Sequence, residues 1–259
     1  MKIVVLVKQV PEPTATWRFA GDLTLDRAGI DGRLSELDEY AVEQAIRLAE
    51  AGQPVDISFL TMGPARAVDA LRKALALGGN DAVHVVDDAL HGSDALATSL
   101  VLATAIRRMG FDLVICGMAS TDAEMSVIPA MVAERLGVPA LTSVASLSVT
   151  ADAVTVQREG DDAVTELAAP LPALVSVTDR SGEPRYPSFK AIIAGKKKPV
   201  TTWSLADLGI PPEHVGADGA GTLVRAARPR PPRQAGTVIV DEGDAAVRLA
   251  DFLVASKLL

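Results

Sequence analysis

Hydrophobic positions fall along this chain in two alternating rhythms. Lys2–Val7 (KIVVLV) is a continuous apolar, β-branched run, the signature of a strand covered on both faces. Ser35-Glu36-Leu37-Asp38 then leads into a helical period carried by Val42, Ala45, Ile46 and Ala49 and ended by Gly52. The alternation repeats. Val55–Thr61 predicts a strand, and Pro64 opens a helix with Val68, Leu71 and Leu75 inward, stopping at Gly78-Gly79-Asn80. Ala82–Val86 predicts a short strand before a helix that Ser93 is placed to cap, with Leu96, Leu100, Ala103 and Ile106 on one side. Asp112–Gly117 predicts another buried strand, followed by a turn and a helix through Met131–Leu136.

Strand and helix in strict succession predict an α/β fold with a mostly parallel, doubly wound sheet. After Gly137 the pattern changes. Ser146–Ala168 alternates polar and apolar around Glu159-Gly160-Asp161-Asp162, which predicts an antiparallel hairpin excursion, and Leu174–Val177 predicts one more strand. Arg225–Arg233 (RAARPRPPR) predicts an extended Pro/Arg linker. Asp244–Leu259 returns to helical period with Val247, Leu249, Ala250, Leu253 and Val254 in a stripe. The expected division is an α/β domain over 1–224 and a helical arm over 225–259.

Composition adds limits. With 259 residues, 49% of them hydrophobic, the chain can bury a large core, but with 3% aromatic residues that core must be aliphatic. A net charge of −8 argues against a sequence-blind grip on nucleic acid. A single cysteine, Cys116, excludes an internal disulfide, and no apolar stretch approaches the roughly 20 residues of a membrane span, so a cytoplasmic location is expected. The sequence has no GxGxxG, P-loop, HExxH, CxxC or GxSxG motif, and its three histidines are far apart. No acid, base or nucleophile of a catalytic centre stands out.

Open α/β sheets bind ligands at the carboxyl ends of their strands. There the segment GMASTDAEMSVI holds Gly117, Met118, Ala119, Ser120, Thr121, Asp122, Ala123, Glu124, Met125, Ser126, Val127 and Ile128. It can present N–H groups and hydroxyls to an anion, or Ser120, Thr121 or Asp122 can simply cap the next helix. Spacing alone favours the cap, because Asp122 and Glu124 bring negative charge to the place where a phosphate would sit.

A second segment, RYPSFKAIIAGKKKP (185–199), mixes apolar groups with proline and three lysines, and its apolar side chains need a cover. Together with MKIVVLVKQVPEP, SELDEYAVE, TMGP, ALRKALALGGNDAVHV and GMASTDAEMSVIPAMVAERLGVP, it resembles the β subunit of electron transfer flavoproteins from Met1 to about Pro199. The resemblance implies a Rossmann-like, adenine-nucleotide-binding fold and a heterodimer with an α subunit that holds most of the FAD. It also implies a structural AMP in this subunit, contacted by Leu6, by Ser35, Glu36, Leu37 and Asp38, by Met62, and by the 117–128 loop. Val10–Pro13 and Leu37 would border the FAD. Met125 stands where members often carry threonine, which favours AMP over the second FAD of bifurcating relatives.

The resemblance further implies a recognition loop that docks on flavin dehydrogenases such as acyl-CoA dehydrogenases, the electrons then passing to a membrane quinone reductase. Phe189 would be its anchor. Ile192 either joins the docking surface or packs with Ile193 beneath the loop, the second being favoured, and Arg185 and Tyr186 either dock with it or fix its base. Lys196, Lys197 and Lys198 either steer an acidic partner or form a solvated end. The C-terminal helix would lie across the α subunit, unless its stripe packs on this chain's own sheet. The subunit would be an electron carrier without substrate chemistry of its own; a stand-alone adenylate sensor is the alternative.

Overall fold

A computed structural model describes residues 1–52, 54–228, 231–232 and 236–259. These residues divide into two compact units, Met1–Arg225 and Ala226–Leu259. Within the expected linker, Pro229, Arg230 and Arg233 lie outside the described residues.

The first unit is built on β1 (Lys2–Leu6), whose side chains alternate between two cores. Ile3 and Val5 point into one apolar cluster and Val4 and Leu6 into the other. β1 pairs with β4 (Asp56–Met62) on one side and with β6 (Leu113–Gly117) on the other, both parallel, with Ile3 opposite Ile57 and Leu113. The sheet extends through β5 (Asp81–Val85) and β12 (Val200–Trp203) at one edge, and through β11 (Ala173–Val177) and β7 (Ala140–Val144) at the other. The order is β12-β5-β4-β1-β6-β11-β7, and every adjacent pair is parallel.

Helices α1 (Glu36–Glu50) and α2 (Val68–Leu77) contribute to the cluster on one face, and α3 (Ala95–Met109) and α4 (Ile128–Leu136) to the cluster on the other. The doubly covered arrangement explains the continuous apolar strands. Phe59 is the one aromatic side chain among the fully buried ones of the described residues. Burying each such aliphatic or aromatic side chain contributes about 1.5–3 kcal/mol.

Some expectations are corrected in detail. Asp94 caps α3, its carboxylate accepting from the N–H of Ala97 at 3.0 Å, while the Ser93 hydroxyl accepts from Gly216 N–H at 2.9 Å. The hairpin is a three-stranded sheet of β8 (Ser146–Val149), β9 (Ala153–Glu159) and β10 (Val164–Pro170), with Val154 and Val156 reaching the main core. A ribbon of β2 (Gln9–Pro11) and β3 (Gly32–Leu34) follows β1. The segment expected as a loop is a helix, α5 (Phe189–Lys197), capped by Ser188 through the N–H of Ala191 at 3.2 Å. The Ser188 cap marks its start, and packing against α2 at Gly195 supplies the tertiary support that so short a helix needs.

The position of α5 follows from topology. β11 is in one half of the sheet, yet β12 forms the opposite edge. The chain between them crosses α1 and is tied to it by polar contacts. Gln44 Nε2 donates to Ser181 carbonyl at 2.6 Å, and Arg47 Nη2 to Glu183 carbonyl at 3.1 Å. Arg185 pairs with Glu43 (Nε–Oε2, 2.8 Å) and Glu50 (Nη1–Oε1, 2.6 Å). α5 then packs against the end of α2. At Gly195 a Cβ would lie 2.7 Å from Ala76 N.

The short α6 (Leu205–Leu208) closes the first unit's core through Leu205 and Leu208. The second unit carries α7 (Ala245–Ala255). Among the described residues no helix is long and apolar enough to cross a membrane.

Candidate functional site

β1 is the strand from which the sheet grows in both directions, so the carboxyl ends of β1 and β6 mark the switch point. Asp38, in the first turn of α1, ties these two ends together. Its Oδ2 accepts the N–H of Lys8 at 2.9 Å and its Oδ1 the N–H of Gly117 at 3.3 Å. The approach is close enough that a Cβ on Gly117 would lie 2.7 Å from Asp38 Oδ1 and 2.8 Å from the Leu37 carbonyl. Only a glycine permits that approach. Burial raises the Asp38 pKa to about 7 against the pull of the two N–H donors.

Ser35 precedes α1, is fully buried, and its Oγ has no hydrogen-bond partner. The Oγ1 of Thr61, near the end of β4, is likewise buried without a partner. Buried hydroxyls are ordinarily satisfied, so these two orphans, one at the start of α1 and one near the end of β4, call for a polar group. Glu36 is exposed and pairs with Arg33 at 3.1 Å, Leu37 is half-buried, and Met62 is half-buried at the end of β4. The Leu6 side chain packs in the core on the α3 face, which leaves only its backbone for a ligand.

The 117–128 loop departs from the expectation of a helix cap. α4 begins at Ile128, with Val127 at the N-cap position and no side-chain cap, so Ser120, Thr121 and Asp122 are not its caps. Met118 N–H is bonded to Val177 carbonyl at 2.9 Å, and Ser120 carbonyl accepts the N–H groups of Ala123 and Glu124. Glu124 (φ 51°) and Ser126 (φ 55°) are left-handed, a conformation disfavoured for residues other than glycine and frequent where backbone serves a ligand. Ala119 and Thr121 are half-buried, whereas Ala123, Glu124, Met125 and Ser126 are exposed.

Asp122 does not repel an anion as the sequence led us to expect. Its side chain is 2% exposed and is gripped by Lys8 Nζ at 2.8 Å and by the Arg27 guanidinium. Burial works against its charge, but Lys8 and Arg27 outweigh it and hold the pKa down to about 2. Lys8 also donates to Ser120 Oγ at 3.1 Å. Lys8 and Arg27 thus pair the Asp122 carboxylate, while Glu124 on the same loop remains exposed. Lys8 and Arg27 were not among the residues picked from the sequence. Their only signal there is charge on segments remote from Asp122.

The unpartnered hydroxyls of Ser35 and Thr61 and the exposed backbone of the 117–128 loop are compatible with the ribose and phosphate of an adenylate. Near the FAD expected from the resemblance, Val10 and Pro11 are buried in the ribbon, Glu12 is half-buried and Pro13 exposed. Two surface cavities, of about 470 Å³ at Met1, Lys2, Pro54 and Asp112 and about 170 Å³ at Ser143, Glu159, Asp161 and Arg180, involve none of these residues.

The 185–198 segment is sorted by its contacts. Phe189 is 78% exposed and Tyr186 94%, and Ile192 and Ile193 are also exposed on α5, which corrects the expectations that the isoleucines pack beneath it and that Tyr186 fixes its base. Arg185 is engaged with α1. Lys198 is engaged too, its Nζ donating to the carbonyls of Leu75 and Gly78 at 2.8 and 2.9 Å, so it caps α2 instead of facing a partner. Lys190, Lys196 and Lys197 remain exposed.

The family model of the electron transfer flavoprotein domain matches residues 22–208. The electron transfer flavoprotein subunit beta of Mycobacterium leprae is 44% identical over 263 residues, covering 99% of each chain. That of Mycobacterium tuberculosis is 43% identical over the same span. That of Megasphaera elsdenii is 32% identical over 270 residues and 100% of both chains.

Proposed function

Because the chain belongs to the β-subunit family of electron transfer flavoproteins, we propose that it is one half of a heterodimeric electron carrier. An α subunit holds most of a shared FAD, and this chain closes the flavin site from one side and has no substrate chemistry of its own. The FAD supplies the redox chemistry when bound. Flavin dehydrogenases, acyl-CoA dehydrogenases among them, deliver electrons, and a membrane quinone reductase receives them. α7, in the second unit, is assigned to the α-subunit interface.

The switch-point site is assigned to AMP. The observation that carries this is the fully buried, unpartnered Ser35 hydroxyl beside the tethered ends of β1 and β6. Ser35 and Thr61 would serve the ribose side, and the 117–128 loop with Lys8 the phosphate. α5 is assigned to docking, with Phe189 as anchor beside Ile192 and Ile193. An exposed aromatic on a firmly seated helix suits an interface hot spot. Lys190, Lys196 and Lys197 would steer an acidic partner.

The test is to co-purify the chain with its α subunit, release the ligands by heat, and quantify nucleotides. One FAD and one AMP per heterodimer is the expected result. Two FAD without AMP would reassign the site to a bifurcating enzyme. Adenylate on this chain alone without flavin would make it a sensor module.

A further inference from the structure

Between β2 and β3 the chain makes an excursion, residues 12–31, that runs past three strand ends of the site. Arg27 reaches Asp122 after β6. Arg66, after β4, donates from Nη1 to Ala28 carbonyl at 3.1 Å. His91, after β5, meets Asp22 Oδ2 through Nε2 at 2.7 Å. We propose that this strap is a gate over the switch-point site, latched by Arg27 on Asp122, and that the bound adenylate leaves by unlatching it. The proposal rests on the nucleotide reading above.

Packing alone does not hold the strap. Of its apolar side chains between 13 and 31 only Ile30 is buried, and Trp17 and Phe19 are exposed. A segment with so little buried apolar surface belongs to the easily opened part of a fold. Its polar attachments are unequal. Asp22–His91 and Arg66–Asp31 are exposed pairs, weakened by water and salt. The Arg27 contact is to a carboxylate that is 2% exposed, where a charge-assisted hydrogen bond is strong. Most of the holding is therefore concentrated at one residue.

The latch is also built to release. Lys8 lies on the β1–β2 connection, outside the strap, and stays on Asp122 Oδ1 when Arg27 leaves Oδ2. Unlatching therefore does not strand a buried, unpaired carboxylate, which would otherwise be strongly unfavourable. The ribbon of Gln9–Pro11 with Gly32–Leu34 fixes both ends of the excursion, so the strap can swing without disturbing the sheet.

The experiment uses the co-purified heterodimer with R27Q and R27K. Hydrogen exchange over residues 13–31 reports the latch, and the release of bound radiolabelled AMP into excess unlabelled AMP reports the gate. R27Q is expected to speed exchange in the strap and to release AMP about 10- to 100-fold faster, the range for losing a hydrogen bond to a charged group. R27K should fall between R27Q and wild type. Unchanged exchange in R27Q overturns the latch. Faster exchange with unchanged release overturns the gate while leaving the site assignment intact. A wild type carrying no adenylate overturns the nucleotide reading, and the gate with it, before any variant is compared.

Discussion

Replacing Asp38 by asparagine tests how the site is held together. The carboxylate accepts one N–H from each of two adjacent strand ends, Lys8 at 2.9 Å and Gly117 at 3.3 Å, in a buried setting. Asparagine offers one oxygen and one NH2, so one of those N–H groups must face a donor. Leaving a buried donor unsatisfied costs about 1–3 kcal/mol. The aspartate carries an opposing term. In the unfolded chain its carboxyl ionises near its usual pKa of about 3.9, whereas in the folded protein burial raises that to about 7.

Between those values the folded state binds the proton and the unfolded state does not. The stability this group contributes is therefore full below about pH 4 and is lost as pH rises through 7. A shift of about 3 units corresponds to about 4 kcal/mol at the upper end, comparable with or larger than the hydrogen-bond loss. Asp38→Asn is thus expected to destabilise by about 1–3 kcal/mol near pH 4.5. The deficit should shrink steadily toward pH 8, where the variant should match or exceed the wild type. Urea unfolding of both proteins from pH 4.5 to 8.5 measures the difference directly. A difference independent of pH across that range would refute the reasoning. It would mean that the two N–H donors outweigh burial and that Asp38 is ionised throughout.

Two further substitutions probe α5. Phe189→Ala should change stability by no more than about 0.5 kcal/mol, because its side chain is largely exposed. It should weaken dehydrogenase docking by about 2 kcal/mol or more, roughly 30-fold; stopped-flow flavin reduction beside thermal unfolding checks both, and a large loss of melting temperature would make Phe189 a core residue. Gly195→Ala would place a Cβ 2.7 Å from Ala76 N and 2.8 Å from Ala76 Cα, against backbone that cannot yield. Overpacking of this kind costs about 1–3 kcal/mol, so hydrogen exchange over 189–197 should rise and docking should weaken; unchanged protection would show that α5 is not seated through this contact.

How far the chain could be read from its sequence depended on how local each cause is. β1, β4 and β6 were legible because strands buried on both faces must be apolar throughout, and that composition is visible without knowing their neighbours. β12 was not, since an edge strand of four residues, Val-Thr-Thr-Trp with both threonines exposed, is too short to show a period. α5 had a local signal in Ser188 and in the Phe189, Ile192, Ile193 spacing, but the lysine run after it read as loop. The 117–128 loop shows the limit most sharply. From its own residues, Asp122 gives the loop a negative sign. The fold brings Lys8 from 114 positions away and Arg27 from 95 onto that carboxylate, and its charge is paired. The electrostatics of a site at a switch point belongs to the set of strand ends gathered there. No single segment carries it, because the strand order that chooses which loops meet is decided by pairing across the whole sheet.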